Sequence, residues 1–255
     1  MPDSNAAAAT IPRRGWRALR FLLVAASAVM AVWVALAIHP HPLFAYQVRR
    51  ANVVLHARDP LPAGAGAMLD EVVRRVSRSP LYDPGRVHDV FLCDTQPLFT
   101  LFAPDARKVG GVSHTHLWGN VFLRPSDIAR DRIRGYSGRE TTGERTLTYF
   151  IAHEVTHAMT ARHLGRLRYA RLAAFQQEGY ADHIAFRHVL DLRAGREAIR
   201  RHEPEMDTRR SGLYRRQELL VAYLLQRRGL TVDQLFVAPL NPRAVERELE
   251  ADSGL

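Results

Sequence analysis

Between Phe21 and Ile38 the chain carries 18 residues without a charge, FLLVAASAVMAVWVALAI, and no polar face interrupts them. As a helix this run covers about 27 Å, close to the hydrocarbon core of a bilayer. Beyond it the pattern becomes mixed. Met68, Val72, Val73 and Val76 recur at helical spacing after the turn-rich RDPLPAG, and SPLYDPG ends that helix. Three short apolar runs then read as strands: VHDVFLC at Val87 to Cys93, LFTLF at Leu98 to Phe102 and WGNVFLRP at Trp118 to Pro125. The pair Gly110 and Gly111 separates the second from the third. From Thr141 onward the period is helical. Leu147, Ile151, Val155 and Ala158 make one stripe, Thr141 and Glu144 have capping-box spacing, and Gly165 is a natural stop. A second helix is predicted over about Leu172 to Arg193 and a third over about Leu213 to Arg228, and GLTVDQLF opens a short last one. Strands first and helices later predict an α+β fold, a small mixed sheet followed by helices, with one apolar N-terminal helix. The organisation expected is a basic N-terminus over 1–20, a membrane segment over 21–38, a linker over 39–62 and a folded domain over 63–255.

Composition sharpens this. At 255 residues and 47% hydrophobic the chain can bury a core. Its one cysteine, Cys93, leaves no intramolecular disulfide and no thiolate cluster, so a metal would be held by histidine and carboxylate. The formal charge of +10 comes from arginine, Lys108 being the only lysine. Arginines spread over a solvated surface account for it, with attraction to anionic lipid headgroups as the functional alternative. No recognition-helix, zinc-finger or aromatic-plus-basic pattern points to nucleic acid, and no nucleic-acid partner is expected. Arg13, Arg14, Arg17 and Arg20 precede the apolar run and none directly follows it. That asymmetry predicts a cytoplasmic N-terminus and a domain across the membrane, anchored by the helix. The alternative is a cleaved signal peptide, for which Ala35 to Ala37 has the small-x-small form; the domain is then secreted or periplasmic. In the following HPHPLF, His39 and His41 read as part of a spacer, with metal binding as the second possibility.

The chemistry concentrates in HEVTH. His153 and His157 are one helical turn apart, so their imidazoles share a face and converge on one ion. Glu154 sits about 100° round the helix, where it reaches a water on that ion without being a ligand. A third ligand is required. His163 follows His157 by six residues, as in the metzincins, but Thr160 stands where a sharp turn needs glycine, and a continuing helix carries His163 away. The better candidate lies in FQQEGYADHIAF. Glu178 and Asp182 are i,i+4 on the second helix, so Glu178 can complete a His₂Glu set while Asp182 accepts a hydrogen bond from a ligand histidine. Gly179 leaves room for close helix packing. His114, His116, His183 and His188 read as ordinary loop or helix histidines, and Cys93 as a small buried hydrophobe.

HEVTH followed after 20 residues by EGYAD resembles the gluzincin metallopeptidases, the thermolysin-like and minigluzincin group, over roughly Thr141 to Leu192. The resemblance implies a zincin-like fold with an active-site helix. It implies Zn²⁺ on His153, His157 and Glu178, Glu154 as general base, and Asp182 behind a ligand histidine. The reaction implied is hydrolysis of a peptide or protein substrate; a catalytically inactive zincin-fold protein binding a cell-envelope partner is the alternative. In that family an upstream edge strand lies beside the bound peptide, and GNVFL at Gly119 to Leu123 is placed to be it. Tyr180, His183, Tyr214 and Tyr223 are open candidates for stabilising the oxyanion.

Overall fold

The computed structural model describes residues 13–104, 109–116, 119–188 and 190–255; the expected N-terminal tail over 1–12 lies outside them. The chain divides after Pro40. The first unit is helix α1 (Arg13–Ile38), of which Gly15–Ile38 is long and apolar enough to cross a membrane.

The second unit begins at His41, and its first elements lie where a linker was expected. Residues 39–62 hold β1 (Tyr46–Arg50) and β2 (Val53–Ala57), an antiparallel hairpin turned by Ala51 and Asn52. Arginines on the largely exposed β1 hid this strand, whereas β2 is buried along its whole length. Asn52 stabilises the turn by donating to the carbonyls of Asp83 and Arg86, both at 2.9 Å, and accepting from Tyr82. Helix α2 (Ala65–Val76) then leads to β3 (His88–Leu92), as the sequence predicts.

LFTLF is not a strand. It lies in helix α3 (Gln96–Phe102), whose N-cap Thr95 accepts from the Leu98 amide and whose first turn carries Pro97. An apolar run of five cannot distinguish the two structures by period alone. Strands β4 (Gly111–Ser113) and β5 (Val121–Leu123) complete a five-stranded mixed sheet in the order β1-β2-β3-β5-β4. The strands β2, β3 and β5 run parallel, and β4 is antiparallel to β5. The edge position expected for GNVFL therefore falls to β4, while β5 is interior. Three residues beside paired glycines are too short to read as a strand.

A small hairpin, β6 (Ser126–Asp127) and β7 (Arg132–Ile133), precedes the central helix α4 (Leu147–Leu164). This helix starts later than its expected capping box. Thr141 is engaged in the hairpin, its hydroxyl on the Arg145 carbonyl at 2.5 Å, and Thr146 is the N-cap. Asp131, held at φ 53° in the hairpin turn, accepts from both the amide and the hydroxyl of Thr148. The helix is buried on all sides from Leu147 to Ala161, more than the single stripe expected, and ends at Gly165 with φ 80°.

Helix α5 (Arg166–Tyr169) turns the chain into α6 (Ala174–Ala185). The second helix thus ends well before Arg193. Arg75 of α2 and Arg78, two residues past its end, donate to the terminal carbonyls of α6, Ala185 at 2.7 Å and Ile184 at 2.6 Å, and Phe186 turns into extended backbone. The remaining helices are α7 (Leu192–Arg200), α8 (Thr208–Ser211), α9 (Arg215–Ala222) with a π-turn over Tyr223–Arg227, α10 (Val232–Val237) and α11 (Pro242–Ala251).

The sheet has two different faces. Val53, Leu55, Val90, Leu92, Val121 and Leu123 join one core with Met68, Leu69 and Val72 of α2 and Ile151 and Val155 of α4. Strand alternation sends His56, Asp89, Phe91 and Phe122 to the other side. There Phe91 stacks on Phe122, Phe122 on Phe102 of α3, and Phe44 packs on Phe91.

Gly179 sets how closely α6 approaches α9. A Cβ there would stand 2.4 Å from the Gln217 carbonyl oxygen and 2.8 Å from Val221. Backbone cannot yield as a side-chain tip can, so Gly179→Ala is expected to cost about 1–3 kcal/mol. Thermal unfolding of the detergent-solubilised chain should show the midpoint lowered by several degrees; an unchanged midpoint would contradict this packing.

Candidate metal centre

Helix α4 presents His153 and His157 on its face toward α6, and α6 presents Glu178 back to them. The two Nε2 atoms are 3.0 Å apart, and Glu178 Oε2 lies 3.3 Å from His153 Nε2 and 3.6 Å from His157 Nε2. Four ligands placed tetrahedrally at zinc-type bond lengths are separated by about 3.3 Å. The triangle observed has that size, so the three residues could hold a metal ion.

The outer partners determine which nitrogens are offered. His153 Nδ1 is 2.7 Å from Asp182 Oδ1, so it donates there and leaves Nε2 as the acceptor. His157 Nδ1 is 2.7 Å from the Tyr169 hydroxyl, which can accept from it and leave Nε2 free in the same way. Two imidazole lone pairs facing each other at 3.0 Å repel unless a cation or proton lies between them. Such an arrangement suits a cation far better than empty space.

Charge follows from the same contacts. Burial would raise the Glu178 carboxyl, but His157 and His153 outweigh it and hold the group well below the usual carboxylate range. Burial opposes protonation of His153, and Asp182 and Glu178 override it and raise the imidazole. Glu154 behaves oppositely. Its carboxyl is raised by burial, against the pull of His157 and His153 and a hydrogen bond from the Ser113 backbone. It lies beside β4, its Cγ only 3.1 Å from where a Cβ on Gly111 would be. Glu154 is thus next to the three ligand atoms without being one of them.

Asp182 is fully buried and accepts from Tyr149 Oη at 2.5 Å, from His153, and from the Tyr214 amide at 2.8 Å. The Tyr214 ring lies parallel to that of His153 with centroids 6.0 Å apart. Burial and the neighbouring Glu178, Asp182 and Glu154 raise its phenol. Of the four oxyanion candidates, only Tyr214 faces these carboxylates. Tyr180 bonds Ser79 Oγ at 2.6 Å, Tyr223 turns toward Asp252, and His183, lowered to about 4 chiefly by desolvation, lies by Arg78.

Helix α4 continues through Thr160, whose hydroxyl donates to the Thr156 carbonyl. His163 is carried to the exposed last turn, where it pairs with Asp233 at 2.6 Å. Met206 is buried in the main core. His114 bonds the Phe102 carbonyl at 2.8 Å, in keeping with a structural role. Sequence reasoning missed Tyr149 and Tyr169. Tyr149 was discoverable, since it precedes His153 by one turn; Tyr169 lies past the Gly165 turn and carries no periodic signal.

No protein-family model, no curated protein and no solved structure matches this chain.

The geometry separates Glu178 from His163 by experiment. Glu178→Ala should lose the bound metal or bind it far more weakly, and His163→Ala should leave metal content nearly intact. Asp182→Asn should lower affinity by about 10–100-fold, because an amide cannot accept from all three donors. Equilibrium dialysis with elemental analysis measures all three; metal loss in the His163 variant alone would refute this ligand set.

Proposed function

We propose that this chain is a zinc-dependent peptidase of the gluzincin type, tethered to a membrane by α1. The carrying observation is the 3.0, 3.3 and 3.6 Å triangle of His153, His157 and Glu178, with Glu154 beside it and free of the ligand role. The mixed sheet, the central helix and the helices that follow it are compatible with a zincin-like fold.

Bound there, a zinc ion would lower the pKa of a coordinated water toward about 7 and polarise a substrate carbonyl. The rest belongs to the chain's own side chains. Glu154, its basicity raised by burial, takes the proton of the attacking water and later passes it to the leaving amine. Asp182 and Tyr169 hold His153 and His157 in the tautomers that expose Nε2. Tyr214 is placed to donate to the oxyanion of a carbonyl under attack. Strand β4 is last in the sheet order, and an extended peptide adding to that edge would run past Glu154. The substrate class is therefore a peptide or an unfolded stretch of protein.

The membrane role rests on α1, long and apolar enough to cross a bilayer; the four arginines at its start support a reading with the N-terminus in the cytoplasm and the folded unit on the far side. Fractionation with separate N- and C-terminal tags should find both tags on one membrane-bound chain. A soluble C-terminal fragment starting near Ile38 would replace the anchor by a cleaved signal.

Glu154→Gln tests the chemistry. The amide keeps the size of the side chain but takes no proton. Zinc content and fold should survive, while cleavage of casein or a peptide library falls by at least about 10²–10⁴-fold. Wild-type cleavage by this variant would exclude the mechanism, whatever metal the protein holds.

A further inference from the structure

The sheet face turned away from α4 holds a second group of ligand-type side chains. Val54 pairs with Asp89 and His56 with Phe91 across the parallel β2–β3 ladder, so His56 and Asp89 are diagonal neighbours on that face. His56 Nε2 is 2.8 Å from Asp89 Oδ1. His41 approaches from the 3₁₀ turn His41–Leu43, its Nε2 3.9 Å from the same oxygen. The three ligand atoms lie within 4.8 Å of one another.

The surroundings position them. His56 is buried and stacks on Phe91 at 4.7 Å, which fixes its ring plane. His41 meets both rings edge-on, His56 at 5.0 Å and Phe91 at 5.2 Å. Pro40 and Pro42 stiffen the segment, and Phe44, buried against Phe91, fixes its far end. The distances 2.8 and 3.9 Å bracket the separation of about 3.3 Å between ligands of a tetrahedral ion, so a movement of about half an ångström in each would centre a cation. His41 is half exposed, which gives an ion a path in and leaves its fourth position to water.

We propose that His41, His56 and Asp89 form a second binding site, separate from the His153 centre, for a divalent transition cation of the zinc class. Two imidazoles and one carboxylate select such an ion over calcium or magnesium, which take oxygen ligands. Its role is structural. The ion links the first residues of the folded unit, three positions past the end of α1, to the middle of the sheet, adding a bond between chain segments that ring contacts and the His56–Asp89 hydrogen bond already bring together. The inference does not depend on the peptidase reading.

The test uses the full chain in detergent, stripped of metal and titrated with Zn²⁺, and separately with Co²⁺ for its tetrahedral absorption. His41→Gln is the main variant, because a half-exposed side chain can change without disturbing the fold; His153→Ala/His157→Ala removes the other centre. Wild type should bind two equivalents. His41→Gln should weaken one of them by more than about tenfold, and the double variant should retain one, sensitive to His41→Gln. A wild-type chain that binds one equivalent and loses it on His41→Gln would support this site while removing the other. A chain whose binding is unchanged by His41→Gln in both backgrounds would overturn the proposal, as would a double variant that binds nothing while its thermal unfolding remains that of a folded protein.

Discussion

Everything at the candidate centre converges on the carboxylate of Asp182. It is fully buried, and a buried carboxylate is costly unless its lone pairs are occupied. Three donors occupy them, each from a different place in the chain: Tyr149 and His153 from successive turns of α4, and the Tyr214 amide from the loop leading into α9. One side chain of α6 thus joins three helices. The same contact orients His153, aligns α6 so that Glu178 faces the imidazoles, and places Tyr214 beside them. The carboxylate behind it is different. Glu218, raised to about 7 chiefly by burial, leans on Arg215, which also pairs with Glu144 and lies over the Phe186 ring.

The site was more legible in the sequence than the fold around it, for a physical reason. His153, Glu154, His157, Glu178 and Asp182 are related by helical spacing, which fixes directions over four or five residues whatever the tertiary context. The close approach at Gly179 was foreseen on the same ground, although its neighbour is α9. Elements set by long-range contacts were not legible. Strand β1 exposes arginines and is defined by its pairing with β2; β4 is three residues long and is defined by β5. The true start of α4 depends on Asp131 in a distant hairpin, and the end of α6 on arginines that lie 100 residues earlier.

The burial of α4 explains why its sequence lacks a clear polar face. It lies between the sheet on one side and α2 and α6 on the others, so residues off its apolar stripe are covered too. Thr156 and Thr160 are tolerated there because each hydroxyl donates to the carbonyl four residues back, satisfying itself without a partner from another element. Thr160 in particular keeps the helix going where a glycine would let it turn, and so carries His163 out of reach of the centre. Which side chain joins His153 and His157 in the candidate group is thus influenced by a residue outside that group.

The two histidines are not equivalent, and the difference lies in their outer partners. His153 donates to a carboxylate, whereas His157 shares a hydrogen bond with a phenol whose own acidity is suppressed by burial. A charged acceptor strengthens the hydrogen bond and draws the imidazole toward a basic, strongly donating state; a phenol fixes the ring's orientation. In the candidate centre His153 is therefore backed by a charged partner, and His157 by one that sets its orientation. Glu178, partly open to solvent and held anionic by both, closes the set from the opposite helix. The centre consequently depends on the relative placement of α4 and α6 rather than on HEVTH alone, and that placement is what Asp182 and Gly179 enforce from the two sides of one helix.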